Sequence, residues 1–490
     1  MKRFLLGLAL ALAAGAAGAA PRADIVIGMQ LEPPHLDPTA GAAAAIDEVT
    51  YANVFEGLTR FGPDGEVEPD LAESWEISDD GLSWVFHLRP GVKFQDGTPF
   101  SADDVAFSIE RAMEAESQNA QKGLFDGIAS VNVIDDQTVE IALDVPKSSL
   151  LSSLAWGDAV MVSPATAEKN RTEPVGTGPF SFSNWVQGDR IELVRNPDYW
   201  GAPAKLDKVT FKFISDPTAA YAAVMAGDVD AFPVFPAPEN LEQFKADPRF
   251  LVMVGTTEGE TILAMNNARA PFDDIRVREA VAHAIDRAAI IDGAMFGYGV
   301  PIGSHFPPHN PAYEDLTALS AHDPEKAKAL LAEAGHAGDI SVTLTLPPPS
   351  YARRGGEIVA AQLRAVGIDV AIANVEWAQW LEQVFTNHDY DLTIVAHTEP
   401  NDIDIYARDD YYFGYHDPVL KALWDGYQQV TDAADQRELL RAMQERIAGR
   451  YVNGFLFQLA KTGVADKRIK GLWINAPTPA NDMTAVEWTE

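Results

Sequence analysis

The chain has 490 residues, 47% hydrophobic and 22% charged, with a formal net charge of −35 and no cysteine. A length several times the ~100–200 residues of one domain, with ordinary globular composition, implies more than one large core. So acidic a balance excludes nucleic acid as a partner, because phosphate binding needs a basic face, and the missing cysteine excludes disulfides, thiolate metal sites and thiol nucleophiles.

Met1-Lys2-Arg3 is a short positive start, residues 4–14 are apolar, and small residues run on to Gly18-Ala19-Ala20. This is the pattern of a cleavable export signal over 1–20. Its apolar run is shorter than the ~20 residues of a membrane span, and no cysteine follows for lipid attachment. The expectation is an exported, periplasmic protein without a lipid anchor.

Residues 24–29 read as a first strand, followed by a proline-rich loop that carries Glu32 and His35. Residues 47–58 read as a helix stopped near Gly57. In 71–113, Trp84, Phe86 and Leu88 alternate with Val85, His87 and Arg89, the period-two pattern of a half-buried strand. Pro90-Gly91 and Asp96-Gly97 then break the chain, and Ser101 with Asp104 three residues on marks the start of a helix. Residues 131–143 read as a hairpin turning at Asp135-Asp136.

Gly176-Thr177-Gly178-Pro179-Phe180 opens another hairpin. It fits neither GxxxxGK[ST] nor GxGxxG and no helix follows, so it is no phosphate loop. Val277, Ala280, Val281, Ala284, Ile285 and Ala288 mark one helix face, on which His283 and Asp286 read as structural, with ion pairs to Arg278 or Arg287. Asp323-Pro324 caps a helix that Gly335 stops. Strands at 340–346, 368–375 and 391–397 then alternate with helices at 357–366 and 376–385, which argues for a parallel sheet. Two helices, 418–429 and 433–448, follow, and the end of the chain returns to the first domain.

No GxSxG elbow and no HExxH occurs, and no catalytic or metal residue is assigned. His305 and His309 are four apart, but Pro307-Pro308 between them forbids the helix that would make that spacing a metal pair. The strongest candidate is the loop 399–415, EPNDIDIYARDDYYFGY, which directly follows a strand. Ligands in α/β sheets gather beyond the carboxyl ends of strands. Glu399, Asn401, Asp402, Asp404 and Tyr411 lie in it. Its aromatic residues form either a wall of the site or core.

Three segments carry a family resemblance. They are the order Trp-x-Phe-x-Leu-Arg-Pro-Gly-Val-Lys-Phe, Asp-Gly-Thr-Pro-Phe, Ala-Asp-Asp-Val within 71–113, then 173–200, then 263–291. In these the chain resembles the extracytoplasmic solute-binding proteins of bacterial ABC importers, family 5, whose members bind dipeptides, oligopeptides or nickel complexes. The resemblance implies an α/β periplasmic-binding-protein fold, with two lobes around a ligand cleft and an extra domain inserted in the first. By that analogy lobe I is 24–55, 174–262 and 463–490, the inserted domain is 56–173, and lobe II is 263–462.

The same resemblance implies a protein that binds and does not catalyse. A monomer without cofactor, it passes a small peptide or amphoteric solute to a permease in the inner membrane. Asp402 or Asp404 would hold the solute's ammonium group. Arg353 or Arg354 would hold its carboxylate, with Tyr351 nearest the family's arginine, and Glu32 would lie in the loop beside the cleft. A cationic amine, an opine-like conjugate or a metal chelate is the alternative solute. An exported hydrolase using Asp402 and Asp404 as an acid–base pair is the alternative of another class.

Overall fold

The computed structural model describes residues 22–489 other than 42, 337, 400, 401 and 431; the expected export signal and Asn401 lie outside the described residues. Three sheets organise the chain. The first has seven strands in the order Phe250–Gly255, Lys461–Asp466, Ala231–Phe232, Asp24–Met29, Lys208–Phe213, Arg190–Arg195 and Phe180–Val186. Asp24–Met29 lies parallel to Lys208–Phe213, and Ile25, Ile27, Val209, Phe211 and Leu193 bury together behind it. The end of the chain packs here too, with Trp488 Nε1 donating to Asp24 O at 3.0 Å.

Between Asp24–Met29 and Phe180–Val186 the chain builds a separate four-stranded antiparallel sheet. Its strands run in the order Ala72–Ile77, Ser83–Leu88, Thr138–Leu143 and Ile128–Asp135. Trp84, Phe86 and Leu88 are buried as their alternation requires, against Val105 and Ile109 of the helix Ala102–Met113. That helix carries the expected capping box, Asp104 accepting from Ser101 N at 2.9 Å.

The Gly176–Gly178 turn is a close crossing of backbones. A Cβ on Gly176 would lie 2.0 Å from Val54 O, and one on Gly178 2.5 Å from Asn53 O. Gln95, from the arm after Ser83–Leu88, ties the crossing together by donating to Val54 O, Gly178 O and Phe180 O. Backbone demand here also shortens the helix expected over 47–58. It spans Ala44–Thr50, because residues 53 and 54 turn out of it to accept from Gly178 N and Phe180 N.

The other lobe is a six-stranded sheet in the order Val300–Pro301, Asn453–Gln458, Glu260–Met265, Leu392–His397, Ile340–Leu346 and Ile368–Asn374. It is mixed rather than parallel: Ile340–Leu346 runs parallel to both Ile368–Asn374 and Leu392–His397, but Glu260–Met265 is antiparallel to its neighbours. Glu260–Met265 and Asn453–Gln458 are buried along their whole length, as strands covered on both faces must be.

The helix face expected over 277–288 is divided. Ile275–Ala284 ends where Ile285 turns extended, and Asp286 caps Arg287–Met295 by accepting from Ala289 N. His283 is structural, its Nδ1 2.7 Å from Ala321 O, but Arg278 and Arg287 donate to backbone carbonyls in place of the expected ion pairs.

The chain passes between the two large sheets twice, at 256–259 and 459–460. The passages bond to one another, Leu459 N donating to Gly259 O at 2.7 Å and Thr257 Oγ1 to Leu459 O at 2.5 Å. This pair of crossings joins the two sheets. The lobes also touch away from it: Arg354 pairs with Glu239, and Gln436 Nε2 donates to Ser148 Oγ at 2.7 Å.

Candidate functional site

The strand Leu392–His397 ends beside the start of its antiparallel neighbour, so His397 and Glu260 are register partners, with Gln458 on the far side of Glu260. This rim of the sheet adjoins both interlobe crossings. After Glu399 the chain makes a 3₁₀ turn, Ile403–Tyr406, which carries Asp402 back under the rim.

Asp402 is the centre of the cluster. Its Oδ1 lies 2.6 Å from Nε2 of the fully buried His305, and its Oδ2 lies 3.8 Å from His397 Nδ1. Tyr406 Oη is 3.3 Å from His305 Nδ1 and accepts from Asn453 Nδ2 at 3.2 Å. Asn453 thus donates to Tyr406, and His305 Nε2–H donates to Asp402. His397 Nε2 lies 3.0 Å from Tyr412 Oη, and Glu399 Oε2 accepts from Thr398 N at 3.0 Å.

Burial acts against the Asp402 carboxylate, but the charges and hydrogen bond of His305, with His397 and Arg408, outweigh it and hold Asp402 below the usual range. Its neighbours go the other way. Burial first, then the Asp402 charge, pushes Glu399 up and Glu260 well up. Burial brings His397 down to about 4, so its imidazole is neutral at pH 7. Glu260 Oε2 is buried without a hydrogen-bond partner.

Across from this rim, on the first lobe and its inserted sheet, lie Asp47 and Asp158. Each has a buried Oδ1 without a partner, and burial raises both well above the carboxylate range, Asp158 further through Glu399 and Asp47 through Asp158. Lys147, brought down to about 8 by burial, feels Asp126 and Asp404. The site is a carboxyl-rich gap between the lobes.

Of the residues expected from sequence, Asp402, Glu399 and Tyr411 stand here. Asp404 stands beside them, its carboxylate 2.8 Å from Arg408. Tyr351 Oη accepts from Ala396 N at 3.1 Å, next to His397.

Three others are engaged elsewhere. Glu32 accepts from Trp185 Nε1 and Gly188 N, fastening the turn between Phe180–Val186 and Arg190–Arg195. Arg353 donates to Val375 O and meets Glu376. Arg354 makes a two-bond pair with Glu239, at 2.8 and 3.1 Å, with its guanidinium over Phe296. Both arginines lie on a helix that begins at Ser350, well before the expected start at 357.

The aromatic residues of the loop are mostly core: Tyr406, Tyr412 and Phe413 are buried, and Tyr411 is half-buried with Arg408 over its ring. Sequence reasoning set His305 aside and missed His397, Glu260, Asp47 and Asp158. His305 and His309 are not a pair; His309 Nε2 meets Glu258 Oε1 at 2.5 Å.

The sequence profile of bacterial extracellular solute-binding proteins, family 5 (middle), matches residues 66–416. The chain belongs to this family. It is 34% identical over 347 residues to heme-binding protein A of Haemophilus influenzae, covering 64% of this chain and 63% of that one. It is 33% identical over 350 residues to the dipeptide-binding protein of Escherichia coli K12, covering 65% of each. The matched stretches thus span just under two thirds of these two relatives. Among solved structures, the periplasmic binding protein AgaA of A. tumefaciens R10 in complex with agropinic acid superposes with a TM-score of 0.86 at 27% identity, over 95% of this chain and 99% of that one. Family 5 members share the two-lobed α/β fold described above.

Proposed function

We propose that the protein is the substrate-binding component of an ABC importer. It captures a small peptide or peptide-like amphoteric solute between its lobes and delivers it to a permease in the inner membrane. The observation that carries this reading is the ionised, nearly buried Asp402, with Glu260 beside it and Asp158 in reach of the neighbouring Glu399, each of the latter two keeping a buried carboxyl oxygen without a donor. A buried acceptor without a donor costs about 1–3 kcal/mol, and a solute's ammonium group supplies the missing donors. In a closed gap of low dielectric that group interacts with Asp402 far more strongly than at a surface.

The mechanism is binding with closure about the crossings at 256–259 and 459–460; no bond is made or broken, and the relatives named for a bound solute are binding proteins. The closing units meet at those crossings, 24–55, 174–255 and 461–489 against 260–458, with 56–173 widening the first. The protein works as a periplasmic monomer, without nucleic acid, after removal of residues 1–20. No helix among the described residues is long and apolar enough to cross a membrane.

One observation favours a second solute class. Arg353 and Arg354 are both engaged away from the cluster, so neither offers a carboxylate clamp. A cationic amine or an opine-like conjugate fits that arrangement better than a free dipeptide.

A thermal-shift series with di- and tripeptides, amines and opines tests both. A solute at 100 Kd stabilises the folded chain by about 2.7 kcal/mol. Peptides that raise the melting temperature of the parent but not of Asp402→Asn support the first reading, and a response to amines alone supports the second. No response from any class removes the capture reading.

A further inference from the structure

Capture of one ammonium group needs one cationic seat, and the gap between the lobes holds carboxyl groups for two. At the first, Asp402 and Glu260 each bring an oxygen within 4.8 Å of one another and of His305, and Glu260 Oε2 has no partner. At the second, on the facing wall, Asp158 is 5% exposed and its Oδ1 is buried without a partner. Asp47 packs against the same turn, so close that a Cβ on Gly157 would meet its Oδ1, which is likewise buried and unpartnered. Glu399 stands between the two seats, within 4.8 Å of Asp402 and in reach of Asp158.

We propose that the solute is a linear aliphatic di- or polyamine, with one ammonium group in the Asp402 seat and a second, further along the same molecule, in the Asp47–Asp158 seat. This rests on the capture reading and narrows its amine alternative to solutes with two cationic ends and no free carboxylate.

The supply of charge separates a second seat from an ordinary acidic patch. The basic side chains around the gap are already spent. Lys147 donates to Leu124 O and Asp126 O at 2.7 and 3.0 Å, and Arg408 pairs with Asp404 at 2.8 Å. Arg111 donates to Thr39 Oγ1 at 2.7 Å beside Asp37, and Lys461 donates to Trp473 O and Asn475 O. A solute carboxylate finds no unspent partner in these groups, whereas an ammonium group at either seat finds an acceptor that lacks a donor.

Desolvation acts in the same sense. An acceptor closed away from water without a partner costs free energy that a bound donor returns. Burial leads the upward push on Asp47, Asp158 and Glu260, and the charges that add to it are those of other carboxyl groups. Asp158 and Glu48 act on Asp47, Glu399 and Asp37 on Asp158, and Asp402, Glu258 and Glu399 on Glu260. A single ammonium group at Asp402 leaves the repulsion on the facing wall in place; a second one relieves it and displaces the proton held there.

The mature full chain is titrated by calorimetry with putrescine, cadaverine and spermidine. Butylamine and γ-aminobutyrate serve as comparators, since they keep one amino end and replace the other by a methyl group or a carboxylate. The best diamine should bind about 10–100-fold more tightly than butylamine, the worth of one charge-assisted hydrogen-bonded contact, with γ-aminobutyrate weakest. Asp158→Asn and Asp47→Asn should each collapse that ratio, while Asp402→Asn weakens diamine and butylamine together. At pH 7, in buffers of different ionisation enthalpy, the diamine should release more protons than butylamine, and Asp158→Asn should abolish the difference.

Melting curves of the unliganded variants separate loss of the seat from loss of the fold, and Asp47→Asn carries the test if Asp158→Asn melts early. A diamine that binds no better than butylamine, or a preference that survives both substitutions, overturns the second seat while capture stands. Binding of peptides with no response to amines also overturns it and leaves capture standing. If no solute of any class binds, the capture reading falls and the second seat falls with it.

Discussion

Asp402 on one wall of the cleft and two aspartates on the facing wall stand in opposite states. On the second lobe Asp402 keeps its charge, because His305, His397 and Arg408 outweigh its burial. On the facing wall Asp47 and Asp158 are pushed well up by burial, and each leaves an oxygen without a partner. Desolvation is common to all three, so the supply of nearby N–H donors and positive charge decides which carboxyl group is ionised, and Glu260 and Glu399 beside Asp402 lose that competition. A carboxylate paired with an imidazole is preorganised for a cation; one without such a partner takes up a proton until something arrives to replace it.

The largest expected effect comes from neutralising the charged wall. Asp402→Asn keeps an oxygen for His305 and removes the charge, so solute affinity measured by calorimetry should fall about 100-fold, or roughly 2.7 kcal/mol, with the fold retained. Unchanged affinity would move the ammonium seat elsewhere and end the contrast between the walls.

The opposite wall gives a smaller effect with a sign that depends on pH. A carboxyl group whose pKa is raised by folding binds more protons folded than unfolded, so stability is full below its ordinary value and is lost as pH rises through the folded one. Asp158→Asn, a neutral isostere of the protonated acid, should match the parent within about 1 kcal/mol at pH 4, near the ordinary carboxyl value, and be the more stable protein at pH 8. Lower stability at both pH values would mean that Asp158 is ionised.

Glu48 offers the same test with a defined window. Burial, opposed by Lys461, raises it from 4.5 to about 7, so the parent should lose stability between those values and Glu48→Gln should lose less. Lys461, brought down from 10.5 to about 8, acts in the other sense and adds stability as pH rises between those values. Urea denaturation at a series of pH values reads both slopes.

How much of this was legible in the sequence differs between fold and site. The helix Ala102–Met113, the strand Ser83–Leu88 and the helix Pro324–Glu333 follow from local caps and alternation. The residues of the family signature are mostly structural: Gln95 ties a backbone crossing, and Glu56 accepts from Thr177, Tyr199 and Trp200. They identify the fold and say little about the solute.

The start of the helix at Ser350 was hidden because Gly355-Gly356 reads as a break, since glycine is a poor helix former. Tertiary packing overrides that preference. A Cβ on Gly356 would lie 2.3 Å from Leu346 Cδ1, and Gly355 sits against Ile290 and Ala294. The site depends on still longer range. His305 meets Asp402 across 97 residues, and no local pattern records a partner so distant. His305 and His309, whose spacing Pro307-Pro308 already excludes as a helical metal pair, each find their own carboxylate after folding.

The smallest effect concerns how the walls are brought together. Arg354 on the second lobe and Glu239 on the first form a two-bond ion pair, with side chains 35% and 30% exposed. Water and salt screen a pair so placed, and its worth is of the order of 0.5–1 kcal/mol. Because it joins the lobes away from the hinge, that energy favours the closed form over the open one and leaves the carboxyl walls untouched. Arg354→Ala should therefore weaken solute binding only about two- to fivefold, through faster release, and raise the radius of gyration of the unliganded protein in X-ray scattering. A loss as large as that of Asp402→Asn would place Arg354 in contact with the solute, where the sequence first suggested it. With no change in either quantity, closure rests on the solute and the crossings at 256–259 and 459–460 alone.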